Sequence, residues 1–316
     1  MKNFSFIKNR NIFFAIFAAV VIIGIISFFV NGFNMDIDFM GGTEISYDLG
    51  QSITPEEETS LTQDIKSLVG TDNFSSLRVS GNKDTITIRT LVLDNTYNTE
   101  IAEDTSSENS EENSGGVSEL RSSITELIMS KYENATWLST DTVSAEISSG
   151  LKQSAILATV VAVILMLIYI AFRFQVSSSF AAVVCLAHDL FVMLVAYSIF
   201  QIPVNSNIIA ALLTILGYSI NATIIIFDRI RENDKKFGNA KFAEKIDAGI
   251  KNTLTRSLNT TLTTLFTIGM IYILGVDSIR NFAFPIIVGI IAGLFSSVCL
   301  AGPLWYVFKN MKTKKR

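Results

Sequence analysis

Residues 207–227 read NIIAALLTILGYSINATIIIF and run directly into Asp228-Arg229-Ile230-Arg231-Glu232-Asn233. A helix needs about 20 mostly apolar residues to cross the hydrocarbon core of a bilayer. The first part meets that length without one charge, and the second begins with a cluster of ions suited to an aqueous edge. This segment therefore reads as a membrane-spanning helix that ends at Asp228.

The same test, applied outward along the chain, finds five more spans near 12–30, 154–172, 178–200, 258–275 and 282–308. The 316 residues are 49% hydrophobic and only 17% charged, and the mean hydropathy is +0.42. The first span follows Lys2, Lys8 and Arg10, as a secretory signal would. Its apolar run is too long for a signal core and lacks a clean small-x-small cleavage site, so it reads as a retained helix.

The net charge of −4 conceals an asymmetry. Residues 31–150 hold 22 acidic and 6 basic side chains, a balance of −16. Most other Lys and Arg fall before span 1, at Arg173, between Arg229 and Lys251, and in the tail 309–316. If each span crosses once, these sites share one side, and only Lys152 and Arg280 join the acidic segment on the other. By the positive-inside rule both termini are cytoplasmic and residues 31–150 lie outside. The scattered basic residues offer no nucleic-acid surface.

The outer segment predicts an α/β domain. Glu44–Leu49 alternates as a strand does. Thr54-Pro55-Glu56 opens a helix, with Thr as cap and Pro at the first helical position. Leu77–Ser80 and Thr85–Thr90 read as strands turning through Gly81-Asn82. A helix over Val117–Lys131 and a strand over Thr136–Ser144 complete the order β-α-β-β-α-β, the ferredoxin-like pattern. Between the third strand and the second helix, residues 94–116 are rich in Glu, Ser, Asn and Thr and have too few apolar side chains to order themselves. After Arg229, Phe242, Ile246, Ile250 and Leu254 recur every four residues among charges. That spacing predicts an amphipathic cytoplasmic segment within 230–251, lying on the inner membrane surface.

Polar residues at membrane depth are the candidates for function. His188-Asp189 stands mid-span, as a proton relay or as a satisfied polar pair between helices. Asn221 follows Gly217, Tyr218 and Ser219 in the fourth span. Asn252, Arg256, Asn259, Thr260, Thr263 and Thr267 share one side of the fifth helix and are expected to face the bundle interior or a hydrated path. Asp228, Arg229, Arg231 and Glu232 read as an edge anchor of ion pairs. Cys185 and Cys299 sit inside apolar spans as packing residues, with no disulfide or metal motif. No cofactor site is expected. No nucleophile–base pair or phosphate loop points to an enzyme.

Several of these stretches bear a resemblance. Asp36-Ile37-Asp38-Phe39-Met40-Gly41-Gly42-Thr43 resembles the IDFxGGT motif of the SecF family of protein-export membrane proteins. Ala171-Phe172-Arg173-Phe174 resembles that family's FRF, Ala187-His188-Asp189 its HD motif, and Ala210–Asn233 with Thr255–Thr260 its longest conserved-looking block. The resemblance implies a polytopic α-helical membrane protein of six transmembrane helices, half of an RND-type unit, with one extracytoplasmic ferredoxin-like domain between helices 1 and 2. It implies a subunit of a SecDF complex in the bacterial cytoplasmic membrane, paired with SecD beside SecYEG. There it would handle unfolded translocating polypeptide at the expense of the ion-motive force. The alternative is an RND-type half-transporter for a small solute. One departure stands out: where the family pattern reads GYSIND, this chain has Gly217-Tyr218-Ser219-Ile220-Asn221-Ala222. The family's ion-transport aspartate is replaced by Ala222, while the arginine matching its partner is kept as Arg256. SecD then supplies the carboxylate, Asp189 substitutes for it, or coupling is weak or sodium-based. A smaller departure is Val143-Ser144-Ala145, where the family has a Gly-Pro turn.

Overall fold

A computed structural model describes residues 5–71, 73–80, 84–91, 115–236 and 241–314. The acidic stretch 94–116 falls outside them except for its last two residues, and so does 237–240 within the amphipathic segment. The chain divides into two compact units, Met1–Asn34 with Ala155–Arg316 and Met35–Ser154.

The second unit opens with a short helix, α2 (Ile37–Met40), that the sequence reading did not contain. Four strands and two helices follow: β1 (Gly42–Asp48), α3 (Pro55–Val69), β2 (Phe74–Ser80), β3 (Thr85–Thr90), α4 (Gly115–Lys131) and β4 (Thr136–Val143). The sheet order is β2-β3-β1-β4 with every neighbour antiparallel, which is the ferredoxin-like arrangement the element order predicts. Thr54 caps α3 in a reciprocal pair with Glu57, the Thr54 amide donating to the Glu57 carboxylate at 2.7 Å. Alternation along β1 and β3 sends Ile45, Tyr47, Ile86 and Ile88 to one face. There they meet Leu61 and Ile65 of α3 and Ile124 and Ile128 of α4, all fully buried.

Among the described residues, six helices are long and apolar enough to cross a membrane. They are α1 (Arg10–Val30), α5 (Ala145–Arg173), α6 (Val176–Ile199), α7 (Asn207–Lys236), α8 (Phe242–Leu274) and a composite sixth. The sixth comprises α9 (Asp277–Phe295), a π-helical segment (Ser296–Ala301) and α10 (Gly302–Lys314). Small residues set the close crossings. Gly24 of α1 lies against Phe191 and Val195 of α6, Gly289 against Ile215, Gly249 against Ile230, and Gly302 against Ile246 and Ile250, each with no room for a β-carbon. Close approach through small residues is how helices gain packing energy in lipid, where apolar burial alone drives nothing.

The amphipathic segment is corrected by this structure. It is not a separate helix lying on a surface: Phe242 to Leu274 is one helix of 33 residues, about 50 Å long and more than a bilayer core requires. Its apolar stripe is claimed by the chain's own bundle, where Ile246 and Ile250 are fully buried beside Trp305. Asp247 on the same stretch accepts the amides of Phe6 and Ile7 at 2.8 and 3.1 Å, tying the segment before α1 to α8.

Candidate functional site

Asp189 is fully buried in the bundle, on the inward face of α6. His188, the chain's one histidine, is nearly as buried, and its Nδ1 lies 2.8 Å from Asp189 Oδ1. The other carboxylate oxygen accepts two hydroxyls, from Ser219 of α7 and, at 2.7 Å, from Ser296 at the start of the π-helical segment. One carboxylate therefore joins α6, α7 and the sixth span. The π turn widens the helix by one residue, and such turns recur at functional positions. The His188 ring is held between Phe17 of α1 and Phe295, at centroid distances of 5.3 and 6.0 Å. Sequence reading found His188 and Asp189 but missed Ser219 and Ser296 as their partners. Serines in apolar spans carry no signal of what they face.

At the end of α7 a second polar group assembles. Arg173, the last residue of α5, donates to Asp228 at 2.8 Å, and Arg231 stands 3.9 Å from the same carboxylate. Arg231 also reaches the Arg173 carbonyl at 3.4 Å, and Arg229 pairs with Glu232 at 2.6 Å. The FRF stretch and the ion cluster after residue 227, distant in sequence, thus form one half-exposed network.

The stripe on α8 departs from expectation. Asn252, Arg256, Asn259, Thr260, Thr263 and Thr267 are exposed on the outside of this chain's bundle, and so is Asn221 on α7. The face turned inward is instead Thr253, Ser257 and Thr261, all buried, with the Tyr218 hydroxyl donating to Thr261 at 3.0 Å. Both faces of α8 carry hydroxyls, so polarity alone does not tell them apart. Among the described residues the Arg256 guanidinium makes no hydrogen bond or ion pair. Asp189 is not its acceptor, since both of that carboxylate's oxygens are already engaged by His188, Ser219 and Ser296.

The antiparallel register of α7 and α8 fixes the depth of Arg256. Gly249 packs on Ile230 and Thr261 bonds Tyr218, which puts Arg256 level with Thr223 and one residue from Ala222. Five residues separate Thr223 from the ion pair at Asp228, a depth of about 7–8 Å at 1.5 Å per residue. Gly217 has open space beside it. Asn221 helps line an apolar cleft of about 500 Å³ between α5 and α7, with Leu165, Met166, Tyr169 and Ile224.

In the second unit, Asp36 caps α2 by accepting the Ile37 amide at 2.7 Å. Arg89 of β3 joins Asp36 at 3.3 Å and Glu44 at 2.5 Å in a buried knot. Burial pushes both carboxyls above their ordinary range, against the opposing pull of the Arg89 charge. Phe39 is buried beneath the turn, while Gly41 and Gly42 adopt φ of 77° and 118°. A β-carbon on Gly42 would collide with the Thr90 carbonyl. The Asp36–Thr43 stretch, with Asp38 in the first turn of α2, thus shapes the start of the sheet. Nothing in it forms a reaction centre.

Residues 123–311 match the family described as protein export membrane protein SecD/SecF, C-terminal. This chain belongs to the SecD/SecF family. The protein translocase subunit SecF of Acidaminococcus fermentans is 36% identical over 98% of the chain and 99% of that relative. The protein translocase subunit SecDF of Bacillus subtilis is 31% identical over 99% of the chain, which spans only 39% of that longer protein. The crystal structure of SecDF from Thermus thermophilus, described as a translocon-associated membrane protein, superposes with a TM-score of 0.75 at 29% identity. It covers 97% of the chain and 39% of the SecDF chain. As a SecD/SecF family member with six apolar helices, the chain is a multi-pass membrane protein.

Proposed function

We propose that this chain is the SecF-type subunit of a protein translocase accessory complex, and that it works only when paired with a SecD-type subunit. The observation that carries this reading is the outward polar stripe of α8. Arg256, Asn259, Thr260 and Thr263 occupy a surface that a lone chain would turn to lipid. A charged or amide side chain there is costly and calls for a protein or hydrated neighbour. SecDF relatives in which the matching region is 39% of a single chain support SecD as that neighbour.

In this reading the two subunits form a twelve-helix unit beside SecYEG, with both termini cytoplasmic and residues 31–150 outside. The outer domain meets unfolded translocating polypeptide, and the ion-motive force drives the cycle. The chain catalyses no covalent reaction. Ala222 leaves it without the family's ion-carrying carboxylate, so the acid that faces Arg256 comes from SecD and the ion path runs along the subunit interface. Asp189, bonded from three sides, holds the bundle together and does not serve as Arg256's counter-charge.

Co-purification of the tagged full-length chain from native membranes tests the partnership. A SecD-type subunit recovered in stoichiometric amount is expected. A native chain that runs as a monomer with no such partner overturns the reading.

A further inference from the structure

The sheet of the outer unit ends at β4, and among the described residues nothing pairs with the outer side of that strand. An open edge is a row of unmet backbone donors and acceptors, suited to another extended chain. Its register against β1 slips at Leu138, where a bulge sets Tyr47 opposite Trp137 and Ser46 opposite Ser139. The bulge leaves Ser139–Val143 as the straight stretch and throws Trp137 and Leu138 outward, 47% and 51% exposed.

Beside this edge runs a trough of about 730 Å³ between β4 and the flank of α4. Arg121, Thr125 and Met129 line it at every fourth residue, and Trp137 closes it. The Arg121 guanidinium stands 5.5 Å from the Trp137 ring centre, and the Thr125 hydroxyl bonds the buried Tyr47 at 2.7 Å. The walls are therefore fixed, while Met129, 48% exposed, is the adaptable element.

We infer that this trough and the β4 edge bind an extended, unfolded polypeptide segment by strand addition, one apolar side chain of the segment entering between Met129 and Trp137. Backbone pairing along Ser139–Val143 is indifferent to sequence, which suits a binder of many clients, and the alternate side chains of the added strand fall over α4. Charge sets the preference. Residues 31–150 carry a balance of −16, and Glu126 lines the trough. Segments that carry Lys or Arg beside an aromatic or aliphatic residue are favoured, and acidic ones are repelled.

The inference rests on the proposed role in export, and its test separates the two. A photo-crosslinking residue is placed at Met129, at Trp137 and, as a control on the far helix, at Ser60, in the full chain with its partner in native membranes. A secretory precursor arrested in mid-export is the probe. Adducts to the precursor from positions 129 and 137 are expected at roughly ten times the Ser60 yield, and Trp137→Ala should cut the position-129 adduct by a similar factor. Equal yields at all three positions overturn the inference, as do adducts from the trough only to a partner subunit or a second copy of this chain. Depletion of the chain is measured in parallel. Export that slows on depletion while the trough stays silent removes only the trough. Export that is indifferent to depletion removes the export reading itself.

Discussion

Two polar regions cross the apolar part of this molecule, and they solve the same problem in opposite ways. Around Asp189 every partner comes from the chain itself: His188 from the same helix, Ser219 from α7 and Ser296 from the sixth span. Along the outer face of α8 the side chains bond little beyond their own helix. The Thr260, Thr263, Thr264 and Thr267 hydroxyls donate to carbonyls three or four residues back, and the Arg256 guanidinium bonds none of the described residues. A satisfied cluster at membrane depth specifies how helices pack. An unsatisfied one specifies what must still arrive. The comparison divides the polar residues into those that make this subunit and those that make the complex.

The largest effect expected from that division is at Asp189. Removing the carboxylate in Asp189→Ala leaves the Ser219 hydroxyl and the imidazole buried without an acceptor, at roughly 1–3 kcal/mol for each group so stranded. Ser296 keeps the Gly293 carbonyl at 3.2 Å. Loss of the folded chain in detergent, read by thermal unfolding, is the expected result, with partner binding lost only as a consequence. Asp189→Asn keeps an acceptor for the serines and should restore most of the stability. A stable Asp189→Ala chain that still binds its partner would erase the contrast between the regions.

Arg256 should behave in the reverse manner. Arg256→Met removes nothing that the isolated chain uses, so melting and insertion should stay at the level of the parent. Export should fall roughly tenfold, the scale of one charge-assisted hydrogen bond of about 1.5–3 kcal/mol. Arg256→Lys sharpens the result, because an ammonium can reach the nearby surface but cannot reproduce a forked pair with a carboxylate. Export in the Lys variant close to that of the Met variant supports a specific acceptor on the partner. Parental export in both variants makes Arg256 an ordinary anchor.

These contrasts also mark how far the sequence could be read. Apolar length is a one-dimensional property, and so the six spans are visible, as is the β-α-β-β-α-β order from alternation and caps. The helix ends are not: α7 runs past Asp228 to Lys236, α5 starts at Ala145 and α8 at Phe242. Helix facing is a property of neighbours. The sequence shows that α8 has polar residues at spacings of three and four, but it shows two such stripes. Which one turns inward depends on Gly249 meeting Ile230 and Thr261 meeting Tyr218. The cost of polar residues in lipid points the outer stripe to the bundle interior or a hydrated path, and which of the two it meets depends on the whole assembly. The amphipathic run from Phe242 was assigned to a surface for a similar reason. Its partners, Trp305 and the residues around Gly302, lie some sixty residues away. The π turn at Ser296 has no signal, since a serine pair within an apolar span is equally compatible with an ordinary helix.

The smallest expected effect concerns Ala222, and it asks whether the two regions can be made alike. The α7–α8 register puts residue 222 one step from the level of Arg256 on the adjoining helix, a separation that a carboxylate and a guanidinium can bridge. An aspartate alone at a helix centre costs about 2.5–3.5 kcal/mol on the insertion scale, and less at this shallower level. Opposite Arg256 most of that cost is offset by the ion pair, so Ala222→Asp should change the melting of the isolated chain by less than about 1 kcal/mol. The double variant Ala222→Asp with Arg256→Met leaves the aspartate without its cation and should be clearly less stable than either single variant. The coupling energy from that cycle, expected at roughly 0.5–3 kcal/mol for residues in contact, measures the contact directly. A coupling near zero would mean that the Arg256 side chain runs along α8 to the ion cluster at Asp228. A clear coupling would turn the exposed stripe into a satisfied one. The new carboxylate would then compete with the one supplied by SecD, so export should fall modestly even as the chain itself stays as stable as before.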